Sequence, residues 1–332
     1  MRSFGKLLGR VLLILIALVG TMWFWPPATG VTPPRFDAGT LPEDLDGWLD
    51  ARESVFTDLV PGTAKRIHWA AERGEKTPFA LVYVHGFSAS SEEVRPTPEL
   101  IAADLGANIF YTRLAGHARG FAPMGEANPD DWLTDLAEAL AIGARIGDRV
   151  IVMATSTGGT IAVAGLGTPA VRAAMPDADK VAGLALISPN IQIANRVNGR
   201  LLDLPLAEYW IPPLRGHEYS FTPANEGHAT YWTTRYPMQA VFSMAHIMRV
   251  ARAVDVSQMT LPVLLLTSPD DGVVDPKAGL EFFSGWEGPV TVSQKPMREG
   301  MDPDAHVIAG NIRSPGLTRE VAREISDWAG GL

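Results

Sequence analysis

Apolar residues along the chain fall into short continuous runs separated by stretches of helical spacing. The runs "FALVYVH" (79–85), "NIFYTRL" (108–114), "RVIVMAT" (149–155), "VAGLALISP" (181–189) and "PVLLLTS" (262–268) are rich in branched and aromatic residues. Such near-continuous runs predict strands buried on both faces. Between them, "TPELIAADLG" (97–106) and "DDWLTDLAEALAIGARIG" (130–147) repeat apolar residues every three or four positions, as a helix packed on one face does. The alternation predicts an α/β fold with a mostly parallel central sheet and helices on both faces. Sheets of this kind carry their chemistry at the carboxyl ends of the strands.

One segment interrupts the alternation. About seventy residues separate Pro189 from Leu261, and they include Tyr209, Trp210, Tyr219, Phe221, Tyr231, Trp232 and Tyr236. That exceeds an ordinary connection and predicts an inserted helical cap at about 190–255, with "MQAVFSMAHIMRVARAV" (238–254) as its last helix. An aromatic cap would roof the site with apolar surface. Upstream, "PPATGVTPPRFDAGTLP" (26–42) is rich in proline and glycine and predicts a semi-rigid spacer. The expected layout is an N-terminal segment over 1–25, a linker over 26–44 and a globular domain over 45–332.

The first ten residues carry Arg2, Lys6 and Arg10, and "VLLILIALVGTMWFW" (11–25) follows without a charge. With Trp23, Phe24 and Trp25 at its end and no A-x-A cleavage site after it, this pattern is read as an uncleaved transmembrane anchor; a cleaved signal and a secreted product are the alternative. The expected location is membrane-anchored, with the remaining chain on the extracytoplasmic side. A net charge of −9 without a basic cluster beyond the N-terminus argues against a nucleic-acid partner. The absence of cysteine excludes thiolate nucleophiles, disulfides and cysteine-ligated zinc.

The candidate chemistry centres on "VIVMATSTGGT" (150–160), where a strand ends at Ser156 and a helix starts at Gly158 and Gly159. In a nucleophile elbow, small residues two positions either side of the serine let the backbones pass; here they are Ala154 and Gly158. A helix start just behind the serine presents unpaired N–H groups and a positive dipole end to a developing oxyanion. Upstream, "VYVHGFSAS" turns at His85-Gly86-Phe87, so the N–H groups of Phe87 and Thr157 can form an oxyanion hole, with His85 and Gly86 at the substrate. After the strand 262–268 come Asp270, Asp271 and Asp275; the first two sit where an acid could reach an imidazole. His306 is the only histidine C-terminal to them, so the order serine, acid, histidine closes in one way.

Together "VYVHGF", "YTRLAGHARG", "TSTGG", "SPDDGVVDP" and "DAHVI" resemble the α/β-hydrolases, within them the monoacylglycerol-lipase-like and serine-aminopeptidase-like group. The resemblance runs from about Arg66 to the C-terminus. It places the acid on Asp271 and implies a carboxylic-ester hydrolase working through Ser156, His306 and Asp271, with an acyl-enzyme intermediate. No cofactor or metal is implied, and the expected partner is a small-molecule ester with an apolar acyl group. Ala154, Ala118 and Ser268 stand where the family pattern has glycine. His117 is read as structural or pocket-lining. An aminopeptidase or amidase with the same three residues is the alternative within enzymes, and a non-catalytic binding member the alternative outside them.

Overall fold

The computed structural model describes residues 2–25 and 28–332. Its strands are β1 (Arg66–His68), β2 (Thr77–Val84), β3 (Asn108–Tyr111), β4 (Gly147–Thr155), β5 (Val181–Ile187), β6 (Glu218–Ser220), β7 (Arg235–Pro237), β8 (Val263–Thr267) and β9 (Val290–Gln294). The helices are α1 (Arg2–Trp23), α2 (Leu45–Glu53), α3 (Thr97–Leu105), α4 (Phe121–Glu126), α5 (Pro129–Ile146), α6 (Thr157–Gly167), α7 (Pro169–Ala173), α8 (Arg196–Asp203), α9 (Ala207–Arg215), α10 (Glu226–Tyr231), α11 (Met238–Arg252), α12 (Pro276–Ser284) and α13 (Thr318–Gly330). Among the described residues the main sheet has seven strands in the order β1-β3-β2-β4-β5-β8-β9, with only β1 antiparallel.

The continuous apolar runs have a simple cause. Successive side chains of a strand point to opposite faces. Ala80, Val82 and Val84 of β2, with Val150, Val152 and Ala154 of β4, enter one core with Leu136 and Leu140 of α5 and Ile161 of α6. Leu81, Tyr83, Ile151 and Met153 enter the other, with Ile101 of α3 and Val321 and Ile325 of α13. The five predicted strands are β2, β3, β4, β5 and β8. The flanking β1 and β9 escape the pattern because one is three residues long and the other exposes most of its side chains at the sheet edge. The start of α5 is encoded locally: Asn128 accepts from the N–H groups of Asp130 and Asp131, Asp131 accepts in return from Asn128, and Pro129 opens the helix.

The segment between β5 and β8 holds α8 to α11 and the short antiparallel pair β6–β7, with α10 between its strands. Its aromatic residues divide: Trp232 and Tyr236 are buried, whereas Tyr209 and Tyr219 face outward.

The N-terminal expectation is corrected here. A helix does form over Arg2–Trp23, yet among the described residues no helix is long and apolar enough to cross a membrane. Lys6 and Arg10 lie within α1, so its uncharged part begins only at Val11 and falls short of the roughly twenty residues a span requires. The transmembrane helix, the membrane partner and the anchored extracytoplasmic location are therefore not supported. Met1, Pro26 and Pro27, parts of the expected anchor and linker, lie outside the described residues.

The following stretch is held against the domain. Thr32 N–H donates to Asp130, His246 Nε2–H to Gly30 O, and Arg249 Nε–H to Ala28 O. Val31 and Phe36 pack on the core and Leu41 is buried in it. Packing thus begins ahead of Leu45.

Candidate active site

Ser156 joins β4 to α6 with φ 52° and ψ −120°, a conformation that non-glycine residues avoid. Such strain persists only where the surroundings over-determine it. Ser156 N–H donates to Ile187 O at 2.8 Å, continuing the ladder onto β5, and Ser156 O accepts from Asn190 N–H at 3.1 Å. Asn190 is also tied to the helix start, its Nδ2 donating to Thr157 Oγ1 and its O accepting from Thr160 Oγ1.

The small flanking residues do different work. A Cβ on Gly158 would lie 2.2 Å from Val84 O and 2.6 Å from His85 O, so α6 crosses the end of β2 with no room for a side chain. At Gly159 the nearest atom would be Pro189 Cβ at 3.1 Å, an ordinary side-chain carbon. Ala154, by contrast, is fully buried and packs with Val84 and Val152 in the core, so its methyl has a place. Gly158→Ala is expected to cost about 3 kcal/mol or more and Gly159→Ala about 1 kcal/mol, measured by thermal melting. Equal losses would mean that α6 does not cross β2 as closely as the structure has it.

The three aspartates after β8 are sorted by the fold. Asp271 is buried, with Oδ2 2.8 Å from His306 Nδ1 and Oδ1 accepting from Val273 N–H and Val274 N–H, both at 2.9 Å. Asp270, one residue earlier, is exposed. Asp275 caps α12, accepting from Lys277 and Ala278 N–H, and pairs with Arg196.

A carboxylate only accepts, so the His306 proton sits on Nδ1 and Nε2 is left with a lone pair. Burial alone would lower the His306 pKa; Asp271, with smaller help from Asp302 and Glu93, outweighs it and raises it above the ordinary value. The His306 loop is positioned by residues the sequence reading passed over. Asp302 accepts from His306 N–H and Val307 N–H and is itself held by buried Arg313, while Ser188 Oγ donates to His306 O at 2.8 Å. The available signal was "DPDAH", an acid four residues before the histidine and able to accept from the loop's own N–H groups. Ser156 hangs on Ile187 and His306 on Ser188, so both are tied to the carboxyl end of β5.

The loop after β2 runs beside Ser156: a Cβ on Gly86 would fall 3.2 Å from Ser156 Cβ. His85, expected at the substrate, is fully buried, and both its ring nitrogens are committed to main chain. Leu114 N–H donates to Nε2, so Nδ1 carries the proton and donates to Gly86 O at 2.9 Å. Burial, reinforced by nearby His117, holds the His85 pKa well below the ordinary range and keeps the ring neutral. Its place is behind the loop. Because a trans peptide sets C=O and N–H on opposite sides, fixing Gly86 O toward His85 turns Phe87 N–H the other way. Thr157 N–H, at the first position of α6, has no acceptor within the helix. The Phe87 ring packs edge-on against Tyr236 at 5.2 Å and His117 at 5.9 Å. His117 is buried, with Nδ1 on Ala115 O and a pKa lowered by burial to about 4. Among the described residues no group of three or more histidine and acidic side chains is placed to hold a metal ion.

A sequence model of the alpha/beta hydrolase family matches residues 81–310, from β2 past His306. The chain belongs to the alpha/beta hydrolase family. Solved structures with similar folds include one from a description of LipS and LipT, two metagenome-derived lipolytic enzymes, where the match has a TM-score of 0.64 and 18% identity and covers 82% of this chain and 99% of that one. The monoacylglycerol lipase of Paleococcus ferrophilus matches with a TM-score of 0.57 and 17% identity over 80% and 97% of the two chains. A soluble variant of monoglyceride lipase from Saccharomyces cerevisiae, solved with a substrate analogue, matches with a TM-score of 0.58 and 13% identity over 83% and 97%. At these identities the likeness is one of fold. No match was found among curated proteins. Ser156 and Asp271 follow the ends of β4 and β8, and His306 lies in the loop between β9 and α13.

Proposed function

We propose that the protein hydrolyses carboxylic esters through Ser156, with His306 as general base and Asp271 as the acid that orients it. The observation that carries this reading is the junction at the end of β5. A strained serine between β4 and α6 is tied there through Ile187, and a buried histidine whose Nδ1–H is held by a buried aspartate is tied to the next residue, Ser188. Ser156 Oγ attacks the ester carbonyl while His306 Nε2 takes its proton. Phe87 N–H and Thr157 N–H receive the oxyanion, and the proton passes from His306 to the departing alcohol. Water then repeats the sequence against the acyl-enzyme and frees the acid. Phe87, Met124, Tyr236 and Phe221 form an apolar cluster between the loop after β2 and the inserted segment, which suits an apolar acyl group.

The amide alternative needs a free carboxylate for a substrate ammonium. Two of the acids in the inserted segment are already paired: Asp203 with Arg249 and Arg252, and Glu218 with Arg235. Glu208 of α9 and Glu226 of α10 have no such ion pair among the described residues and are the remaining anchors for an ammonium, on separate helices. A fluorophosphonate probe, read by peptide mapping, should label Ser156, and p-nitrophenyl esters should turn over well ahead of aminoacyl anilides. Faster anilide cleavage would shift the assignment to an aminopeptidase. Absence of labelling would leave a non-catalytic binding role.

A further inference from the structure

Glu93 is a buried carboxyl for which the reaction above has no use. It lies 2% exposed in the loop between β2 and α3. Its Oε2 accepts from Gly86 N–H at 2.8 Å and from Tyr83 OH at 2.9 Å. Since Tyr83 gives its proton to Glu93, Thr155 Oγ1 donates to Tyr83 OH at 3.1 Å. The other oxygen, Oε1, would be 2.8 Å from a Cβ on Gly86, the same position that would lie 3.2 Å from Ser156 Cβ.

On its far side the His306 loop closes in. A Cβ on Gly310 would fall 2.7 Å from Glu93 O. The Glu93 main chain is thus packed against Gly310, while its carboxyl meets Tyr83 OH and Gly86 N–H and feels the charges of His306 and Asp302. Burial pushes its pKa up to about 7, against the pull of Gly86 N–H, Tyr83 and His306.

Building on the ester-hydrolase reading, we propose that Glu93 is a positioning residue that locks the oxyanion loop to the nucleophile turn through the chain Thr155–Tyr83–Glu93–Gly86. Thr155 immediately precedes Ser156, and Gly86 immediately precedes Phe87. The two N–H groups assigned to the oxyanion come from opposite ends of this chain, and Glu93 sets the distance between them. His85 holds the C=O of Gly86 and Glu93 its N–H, so both peptide planes entering Phe87 are clamped. In the fraction that is ionised, Glu93 also favours the imidazolium that His306 becomes during attack.

The test uses the full-length protein and a p-nitrophenyl ester. Glu93→Ala removes the acceptor and is expected to lower kcat at least about tenfold with KM within about twofold, because misplaced donors weaken transition-state binding. Glu93→Gln restores an oxygen for Gly86 N–H and Tyr83 OH and should recover most of that loss. It also removes the partial negative charge that Glu93, with its pKa of about 7, carries beside His306, which lowers the histidine's pKa, so the acid limb of kcat/KM moves modestly to lower pH. A folded Glu93→Ala with wild-type kcat, or a Glu93→Gln whose acid limb stays in place, overturns the proposal. If Glu93→Ala does not fold, the Glu93→Gln profile decides. Failure of the underlying reading is distinguishable because it shows in the wild type, as absence of probe labelling at Ser156.

Discussion

Ser156→Ala is expected to abolish fluorophosphonate labelling and to lower kcat on p-nitrophenyl esters by about 10⁶-fold, with an unchanged melting curve. The separation of activity from stability follows from what holds the turn. The hydrogen bonds to Ile187 and Asn190 use only the main chain of Ser156, and alanine at φ 52° is no more strained than serine. Only the attacking oxygen is lost. A variant that retains more than about one hundredth of the wild-type rate would assign the nucleophile elsewhere, whatever the fold.

The second large effect belongs to Asp271→Asn, with an expected loss of about 10⁴-fold in kcat, against a rate close to wild type for Asp270→Asn. The size comes from a tautomer. In the native site Oδ1 of Asp271 accepts from Val273 and Val274 N–H, and Oδ2 accepts from His306. An asparagine has one oxygen, and the two main-chain donors claim it. Its NH₂ is then turned toward His306 Nδ1, which must become an acceptor, so the ring proton moves to Nε2. A protonated Nε2 cannot take the proton of Ser156. Asp270 is exposed and makes no comparable contact with the ring. Parallel pH–rate profiles of the two variants provide the measurement, and a larger loss in Asp270→Asn would reverse the assignment.

Much of this site could be read in one dimension because its parts obey local rules. The runs at 79–85, 149–155 and 262–268 are continuous in apolar residues because both faces of their strands are buried, and the residue after such a run lies at the sheet's carboxyl edge. Ser156 follows directly, and so does the pair Asp270 and Asp271, between which the family resemblance chose. Other expectations met constraints that act across the chain. His85 was read as a substrate residue because it adjoins Gly86; only the approach of Leu114 N–H and Gly86 O reveals it as a peg behind the loop. Glu93 is one of two adjacent glutamates, and nothing local distinguishes it from Glu92, which pairs with Arg66 and Arg95 nearer the surface. The stretch 28–41 carries the composition of a spacer, yet it is held through its main-chain groups, and composition does not describe those.

The amino-acid sequence by itself determined the fold class and the central strands, and narrowed the candidate set to Ser156, His306 and one of two adjacent aspartates, because periodicity and chain order are one-dimensional properties. Tertiary structure decided which groups meet. Hydrogen bonds between residues distant in the chain separate Asp271 from Asp270, set the His306 proton on Nδ1 and bury Glu93 beside Gly86. At the N-terminus, α1 draws Lys6 and Arg10 into the same helix as the apolar run, leaving too short an uncharged length to span a bilayer. Distance in space and extent of an element are settled by folding, and no reading of residue types alone supplies them.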